Sequence, residues 1–497
     1  MKIIKIICVF LLLASCLTAK KQTKVDKKIE QPNIVYIICD DLGYGDIQFL
    51  NPEKGKILTP KVDQLAKEAM SFTDAHTSSS VCTPSRYSIL TGRYAWRTKL
   101  QKGVLSGGDE LEPLIAKDRL TVPVLLKGVG YNTAAIGKWH LGFKFVDDHG
   151  KALQIYDDKK VIGPPIGATV PDGPITRGFD SYIGFHHSRV MKTIIENDKV
   201  IAKMAPVKML QFLADHTERY IEKAANKKEP FFLYLALNSP HSPVVPSEKW
   251  QGKSGMGAYA DFVMETDDVV GRVLSALKKN DIEDNTIVFF TSDNGCSYPA
   301  SKAQKLEDKY GHFVSGDFRG AKSDIWEGGH RVPFIVKWPG KIEANSTSDQ
   351  LICLSNLMAT CADVVGVDIP QTAGEDSYSI LPILKDKNAK SDHEFVIHHS
   401  IHGKFSVRNS EWKLEFTPGS GGWSRPNDKN ARKKGLPKIQ LYNMKKDKEE
   451  TTNLYKSEPL VVKGLTAKLQ EIVNNGRSTL GENQENDVEI DIFKEGL

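Results

Sequence analysis

Apolar residues along the chain fall into two patterns. Asn33–Cys39, Phe231–Leu237, Thr286–Thr291 and Val332–Trp338 are short runs rich in β-branched and aromatic residues, without polar alternation. That is the pattern of strands buried on both faces. Val62–Ala69 and Tyr259–Leu277 instead repeat apolar residues at helical spacing. Strands separated by helices predict an α/β fold: a large central mixed, mostly parallel sheet flanked by helices. After about residue 386 the pattern changes. His393–Val407 and Trp412–Phe416 read as short strands, followed by a Gly/Ser/Pro loop at Pro418–Pro426 and a basic patch at Lys429–Lys438. Val461–Val473 reads as a helix that Gly476 would stop, and the polar tail from Arg477 is expected to be loose. The expected organisation is a large sheet-and-helix domain over 32–385 and a smaller C-terminal subdomain of antiparallel strands and a helix, with its tail, over 386–497.

At 497 residues, 40% hydrophobic and 26% charged, the chain can bury a large core. Its net charge of +5 changes meaning once located. Residues 1–30 hold seven lysines against Asp26 and Glu30, which accounts for all of it. The remainder is neutral overall, so nothing attracts a polyanion and no nucleic-acid partner is expected. The first residues read as an export signal: Lys2 and Lys5, an apolar run too short to span a bilayer, then Leu13-Ala14-Ser15-Cys16. The last four resemble a bacterial lipobox, in which the cysteine is acylated; a plain secretory peptide is the alternative. The expectation is a signal and lipobox over 1–16 and a tether over 17–31. Export would place the protein in the periplasm or at the outer membrane of a Gram-negative bacterium, held to the membrane through its lipid alone. Five cysteines lie beyond Cys16, an odd number without a CxxC pair, which excludes a disulfide framework and a thiolate zinc site.

Polar residues of chemical interest sit just past the ends of the apolar strands, where open α/β sheets place their sites. Asp40-Asp41 follows the first strand and Asp293-Asn294 another. Adjacent buried carboxylates are costly unless a cation neutralises them, and hard oxygen ligands suit calcium or magnesium. Cys82-Thr-Pro-Ser-Arg86 puts a cysteine near a helix start with a guanidinium one turn on, a sensible anion site. From the residues alone Cys82 is a core residue, a reactive thiol or a nucleophile.

Cys82-Thr83-Pro84-Ser85-Arg86 followed by Thr91-Gly92-Arg93 resembles the signature of the formylglycine-dependent sulfatases of the alkaline-phosphatase-like superfamily. Asp40–Asp46, Gly137–Gly142, Asn238–His241, Ser292–Gly295 and Gly320–Pro333 match in the expected order. The resemblance is strong over 32 to about 385 and points to bacterial polysaccharide-degrading lipoprotein sulfatases. It implies that a separate maturation enzyme converts Cys82 to formylglycine (3-oxoalanine). The hydrate would then be the nucleophile, passing through a covalent sulfate intermediate. It implies one calcium ion, or magnesium, on Asp40, Asp41, Asp293 and Asn294, with the modified Cys82 completing the shell. Arg86 would steady the hydrate and the metal carboxylates. Lys138, Lys322 and His241 would contact sulfate and the leaving oxygen, and His140 the formylglycine hydroxyl. The substrate would be a sulfated poly- or oligosaccharide, with galactose or N-acetylgalactosamine desulfated at O6 ahead of O4. Candidate sugar contacts are His186, His187, Arg189, His399 and Trp423. A phosphate or phosphonate ester hydrolase and a non-catalytic glycan binder are the alternatives.

Overall fold

The computed structural model describes residues 31–105, 112–157, 160–161 and 163–494; the export signal, lipobox and nearly all of the tether lie outside them. Ten strands form one sheet. In chain order they are β1 Asn33–Asp40, β2 Met70–Phe72, β3 Asn132–Lys138, β4 Ser181–Phe185, β5 Thr193–Glu196, β6 Lys199–Lys203, β7 Phe231–Pro240, β8 Thr286–Ser292, β9 Phe334–Lys337 and β10 Ser346–Ser348. Their spatial order is β10-β2-β9-β8-β1-β7-β3-β4-β5-β6. The centre, β8-β1-β7-β3-β4, is parallel, whereas β9 runs antiparallel to β8 and β5 to β4. The sheet is thus mixed and mostly parallel at its core, as the pattern predicts.

β1 explains why its sequence lacks alternation. Ile34, Tyr36 and Ile38 pack into the core on one face, and Val35, Ile37 and Cys39 into the core on the other. The helices α1 Pro60–Lys67, α2 Cys82–Thr91, α3 Met209–Ala225 and α4 Ala258–Lys279 cover these faces. All ten residues of α2 are buried, so this helix lies inside the molecule and ends at Gly92, whose φ of 63° closes its last turn.

A second, four-stranded antiparallel sheet comprises β11 Val396–His399, β12 Phe405–Arg408, β13 Trp412–Glu415 and β14 Gln440–Asn443, backed by α5 Pro459–Asn474. The expectation of a loose tail is overturned. Ile490 and Ile492 pack with α5, Ser478 N–H donates to Asp376 and Asp487 N–H to Arg97 O. Two buried isoleucines together with these hydrogen bonds dock a polar segment. All five cysteines among the described residues are buried and free.

Between the two sheets lies a buried charge network. Arg408 clamps Asp74 with two 2.8 Å bonds and reaches Glu327 at 3.4 Å. Arg331 binds Asp74 and Glu327, and Lys413 binds Glu327, Glu415 and Glu450. Burial and the neighbouring Glu450 push the Glu415 carboxyl well up against the pull of Lys413. Inside it, His76, His330 and His398 bring ring nitrogens within 4.8 Å of one another. The rings of His330 and His398 are stacked 12° apart, so their in-plane lone pairs do not converge on one point. With three cations already present, this cluster is a charge network and not a cation site.

Burial lowers the pKa of ten of the 13 histidines, among them His76 to about 4 and His186, His393 and His399 to about 3. A lowered folded value means that the unfolded chain takes up more protons on acidification. The stability involved is complete above about pH 6.5 and drains away as pH falls toward those folded values, by about 1.4 kcal/mol per unit per histidine. The raised carboxyls of Asp63, Asp267, Asp293, Asp324, Glu415 and Glu450 act in the opposite sense but are fewer. Thermal unfolding followed across pH is expected to give a level Tm from 8 to 7 and a steep fall below 6; a level Tm down to 4.5 would contradict this.

Candidate active site

Four central strand ends and one helix start converge. β1 delivers Asp40-Asp41, β8 Asp293-Asn294, β3 Lys138 and the following His140, β7 the loop to His241, and α2 begins at Cys82. Asp41 and His140 hold φ of 66° and 58°, uncommon for residues with a Cβ and concentrated at sites whose surroundings hold them in place. β3 approaches β7 closely: a Cβ at Gly137 would lie 1.9 Å from Ala236 O.

Cys82 lies at the bottom, 1% exposed. Its Sγ is 3.5 Å from Asp40 Oδ1 and 3.5 Å from Lys322 Nζ. Lys138 Nζ donates to both oxygens of Asp40 at 2.7 Å, and Lys322 Nζ to both of Asp41 at 2.6 and 2.8 Å. Arg86 joins three strand ends: Nε donates to Asp293 at 2.8 Å, Nη1 to Lys138 O at 3.2 Å, and Nη2 lies 3.6 Å from Asp40.

Burial works against the charge of Asp40, yet Lys138, His241, Arg86 and Lys322 hold its carboxyl well below the usual range. Burial pushes Asp293 up to about 6 against the pull of Arg86. Burial, and then Asp293, push the Cys82 thiol well up. An unmodified Cys82 is therefore a protonated thiol at neutral pH, a poor nucleophile.

The residues fit a hard cation. Asp40, Asp41, Cys82 and His241 bring ligand atoms within 4.8 Å of one another. Asn294 Oδ1 is buried without a partner while its Nδ2 donates to Asp41 at 2.8 Å. An orphaned amide oxygen among three carboxylates is what an oxygen-ligated ion would satisfy. The three carboxylates are already matched by Arg86, Lys138 and Lys322, so adding a divalent ion leaves the pocket positive and complementary to an anionic ester.

The sulfatase family profile matches residues 32–367. An N-acetylgalactosamine-6-O-sulfatase of Bacteroides thetaiotaomicron is 30% identical over 516 residues, spanning 93% of this chain and 96% of its own. The chain belongs to the sulfatase family. It is a sulfuric ester hydrolase of the formylglycine-dependent superfamily. A profile for the C-terminal part of N-sulphoglucosamine sulphohydrolase matches residues 321–424. The N-acetylgalactosamine-6-sulfatase of Sus scrofa is 31% identical over 363 residues, 71% of this chain and 66% of its own. A Bacteroides thetaiotaomicron structure from work on the metabolism of multiple glycosaminoglycans superposes with a TM-score of 0.76 at 26% identity, over 89% of this chain and 99% of that one.

In this sulfatase two histidines border the pocket with defined tautomers. His140 Nε2 donates to Leu105 O at 3.0 Å, which leaves the lone pair on a buried, unpartnered Nδ1. Burial, Lys138 and the neighbouring His187 and His186 keep its ring neutral. His241 Nδ1 donates to Ser242 O at 2.5 Å, so Nε2, 3.7 Å from Asp41, is its exchangeable position.

The candidate sugar contacts divide. His186 and His187 are buried beside His140, with ring centroids 6.4 and 5.4 Å away. His399 is buried on β11, where its C=O accepts from Ser79 Oγ and Ser80 N–H, and its ring stands in the field of Lys494. Arg189 is exposed, and Trp423 is 49% exposed.

Sequence reasoning leaves His312 as structural or solvent-facing, and it is structural and buried. Its Nδ1 accepts from Lys56 N–H, so Nε2–H donates to Asp46 at 2.9 Å; Asp46 also accepts from Gly43 N–H and Tyr259 OH. The cluster fixes the loop after Asp40-Asp41. Asp46 was visible in the Asp40–Asp46 motif, whereas its distant partners carried no local signal.

Proposed function

We propose that this sulfatase removes 6-O-sulfate from galactose or N-acetylgalactosamine units of a sulfated poly- or oligosaccharide. The pocket carries the reading: Cys82 lies against two carboxylate–lysine pairs in which the end of β1 meets the end of β3 and the turn at Lys322. The choice of sugar and position is supported by the Bacteroides relative named for N-acetylgalactosamine 6-O-desulfation, which matches along nearly its whole length.

Oxidation of Cys82 to formylglycine by a separate enzyme would give an aldehyde, and water adding to it would give two hydroxyls, one of which attacks sulfur as the bond from sulfur to the sugar oxygen breaks. Asp40, Asp41, Asp293 and Asn294 would hold the calcium, whose charge adds to that of the lysines. A sulfate monoester is anionic, and a nucleophile approaches it only where charge is neutralised beforehand. Lys138, Lys322 and Arg86 supply three fixed positive charges in a water-poor pocket, where each is worth most. Arg86 also holds Asp293 and the Lys138 backbone in register, a positioning task. With Nδ1–H held by Ser242 O, His241 acts as the acid for the leaving sugar oxygen only in its imidazolium form, which carries the second proton on Nε2 and which burial disfavours. His140 Nδ1, neutral and unpartnered, would take the proton of the second hydroxyl, so that the aldehyde re-forms as the C–O bond to sulfate breaks and sulfate leaves.

The test is sulfate release by matured, calcium-supplied protein from 6-O- and 4-O-sulfated N-acetylgalactosamine and galactose. The 6-O esters are expected to be cleaved with kcat/KM at least about tenfold higher. The reverse preference would overturn the position assigned, and no release from any of them would overturn the substrate class.

A further inference from the structure

The turn that follows Lys322 does more than carry that lysine. Ser323 has a φ of 83°, and the strain is held by ties to three segments. Its N–H donates to Ser80 O at 2.8 Å, two residues before Cys82. Its C=O accepts from Ile401 N–H at 3.0 Å, and its hydroxyl accepts from Trp423 N–H at 3.1 Å. Asp324, fully buried, accepts the N–H groups of Trp423 and Ser424 on Oδ1 at 2.9 and 3.0 Å, and that of Ala321 on Oδ2 at 2.9 Å. Ile325 N–H donates to Ser420 O at 2.7 Å. A Cβ at Gly422 would lie 2.3 Å from Ser323 O, so the two turns run in backbone contact.

Two loops of the C-terminal region, around 401 and 420–424, are therefore hung from the residues beside Lys322. Trp423 is 49% exposed, while its own N–H is shared between Ser323 Oγ and Asp324 Oδ1 and the next N–H, of Ser424, also goes to Asp324. A large, half-exposed ring whose backbone is tied to the two residues after Lys322 contributes little to the core and suits stacking on a ligand.

We propose that Trp423 is the platform on which the sulfate-bearing sugar stacks, and that Asp324 is its positioning residue. The inference rests on the sulfatase reading of the Cys82 pocket and deepens it. In a galacto-configured pyranose the axial 4-oxygen leaves carbons 3 to 6 as one continuous apolar patch on the opposite face, the complement of an indole. An exocyclic 6-sulfate extends from the edge of that patch, so it reaches sideways into a pocket while the ring stays against the rim. An axial 4-sulfate entering the same pocket turns the apolar face outward, away from Trp423. The platform thus selects both a galacto sugar and its 6-position.

Steady-state kinetics on matured enzyme with 6-O-sulfated N-acetylgalactosamine, together with inhibition by inorganic sulfate, tests the proposal. Trp423→Ala is expected to raise KM about tenfold or more, to change kcat less than about threefold, and to leave the inhibition constant of sulfate in place. Trp423→Phe should recover most of the lost affinity, and Asp324→Asn should show the same split in smaller measure. An unchanged KM in Trp423→Ala, or a loss that falls equally on kcat and on sulfate affinity, would overturn it. Cleavage of an aryl sulfate but of no 6-sulfated galacto sugar would overturn this proposal and leave the sulfatase reading standing. Cleavage of neither would overturn both.

Discussion

Cys82→Ala, produced in the same host and supplied with calcium, is expected to lose about 10⁴-fold or more in kcat while its melting temperature stays within a few degrees of the parent. Alanine leaves nothing to oxidise, so the variant retains the lysines, Arg86 and both histidines but has no attacking group. Cys82 is the first residue of a wholly buried helix, and the truncation removes one atom whose polar neighbours, Asp40 and Lys322, keep other partners. Initial rates on a 6-O-sulfated sugar beside a calorimetric scan check both halves. Turnover within tenfold of the parent would remove Cys82 from the chemistry.

Arg408→Met is expected to destabilise the protein by about 3–5 kcal/mol, the usual consequence of leaving a buried charge uncompensated. It removes both bonds that clamp Asp74 and the contact with Glu327. These carboxylates belong to the large sheet's side of the molecule and Arg408 to β12 of the small one, so the loss falls on the joint between them. Urea unfolding of the single variant and of Arg408→Met with Asp74→Asn measures the coupling. The double variant should regain part of the loss, because no unpaired carboxylate remains at position 74. A single variant within 1 kcal/mol of the parent would show that the network does not hold the two sheets together.

The central strands were legible because burial on both faces erases alternation: β1, β7 and β8 announce themselves as apolar runs. β3, Asn-Thr-Ala-Ala-Ile-Gly-Lys, did not, since its close approach to β7 at Gly137 demands small residues that carry little hydrophobic signal. Within the site, Cys82, Arg86 and the paired aspartates could be read from short-range motifs. The partnership of Lys138 with Asp40 and of Lys322 with Asp41 could not, because it joins positions 98 and 281 residues apart. The same holds for Asp324 and Trp423, whose contact depends on two turns meeting in space. The docked tail was misjudged on its polarity, because part of what holds it is hydrogen bonds to distant residues such as Asp376 and Arg97, with only two buried isoleucines to signal it.

Peptide mass spectrometry across Cys82, on protein from its own host that releases sulfate from an ester, tests the central claim most directly. Conversion of the thiol side chain to an aldehyde lowers the peptide mass by about 18 Da. The account predicts that this shift is present and that its fraction tracks specific activity from one preparation to the next. Active protein whose Cys82 peptide carries the unmodified mass would contradict it.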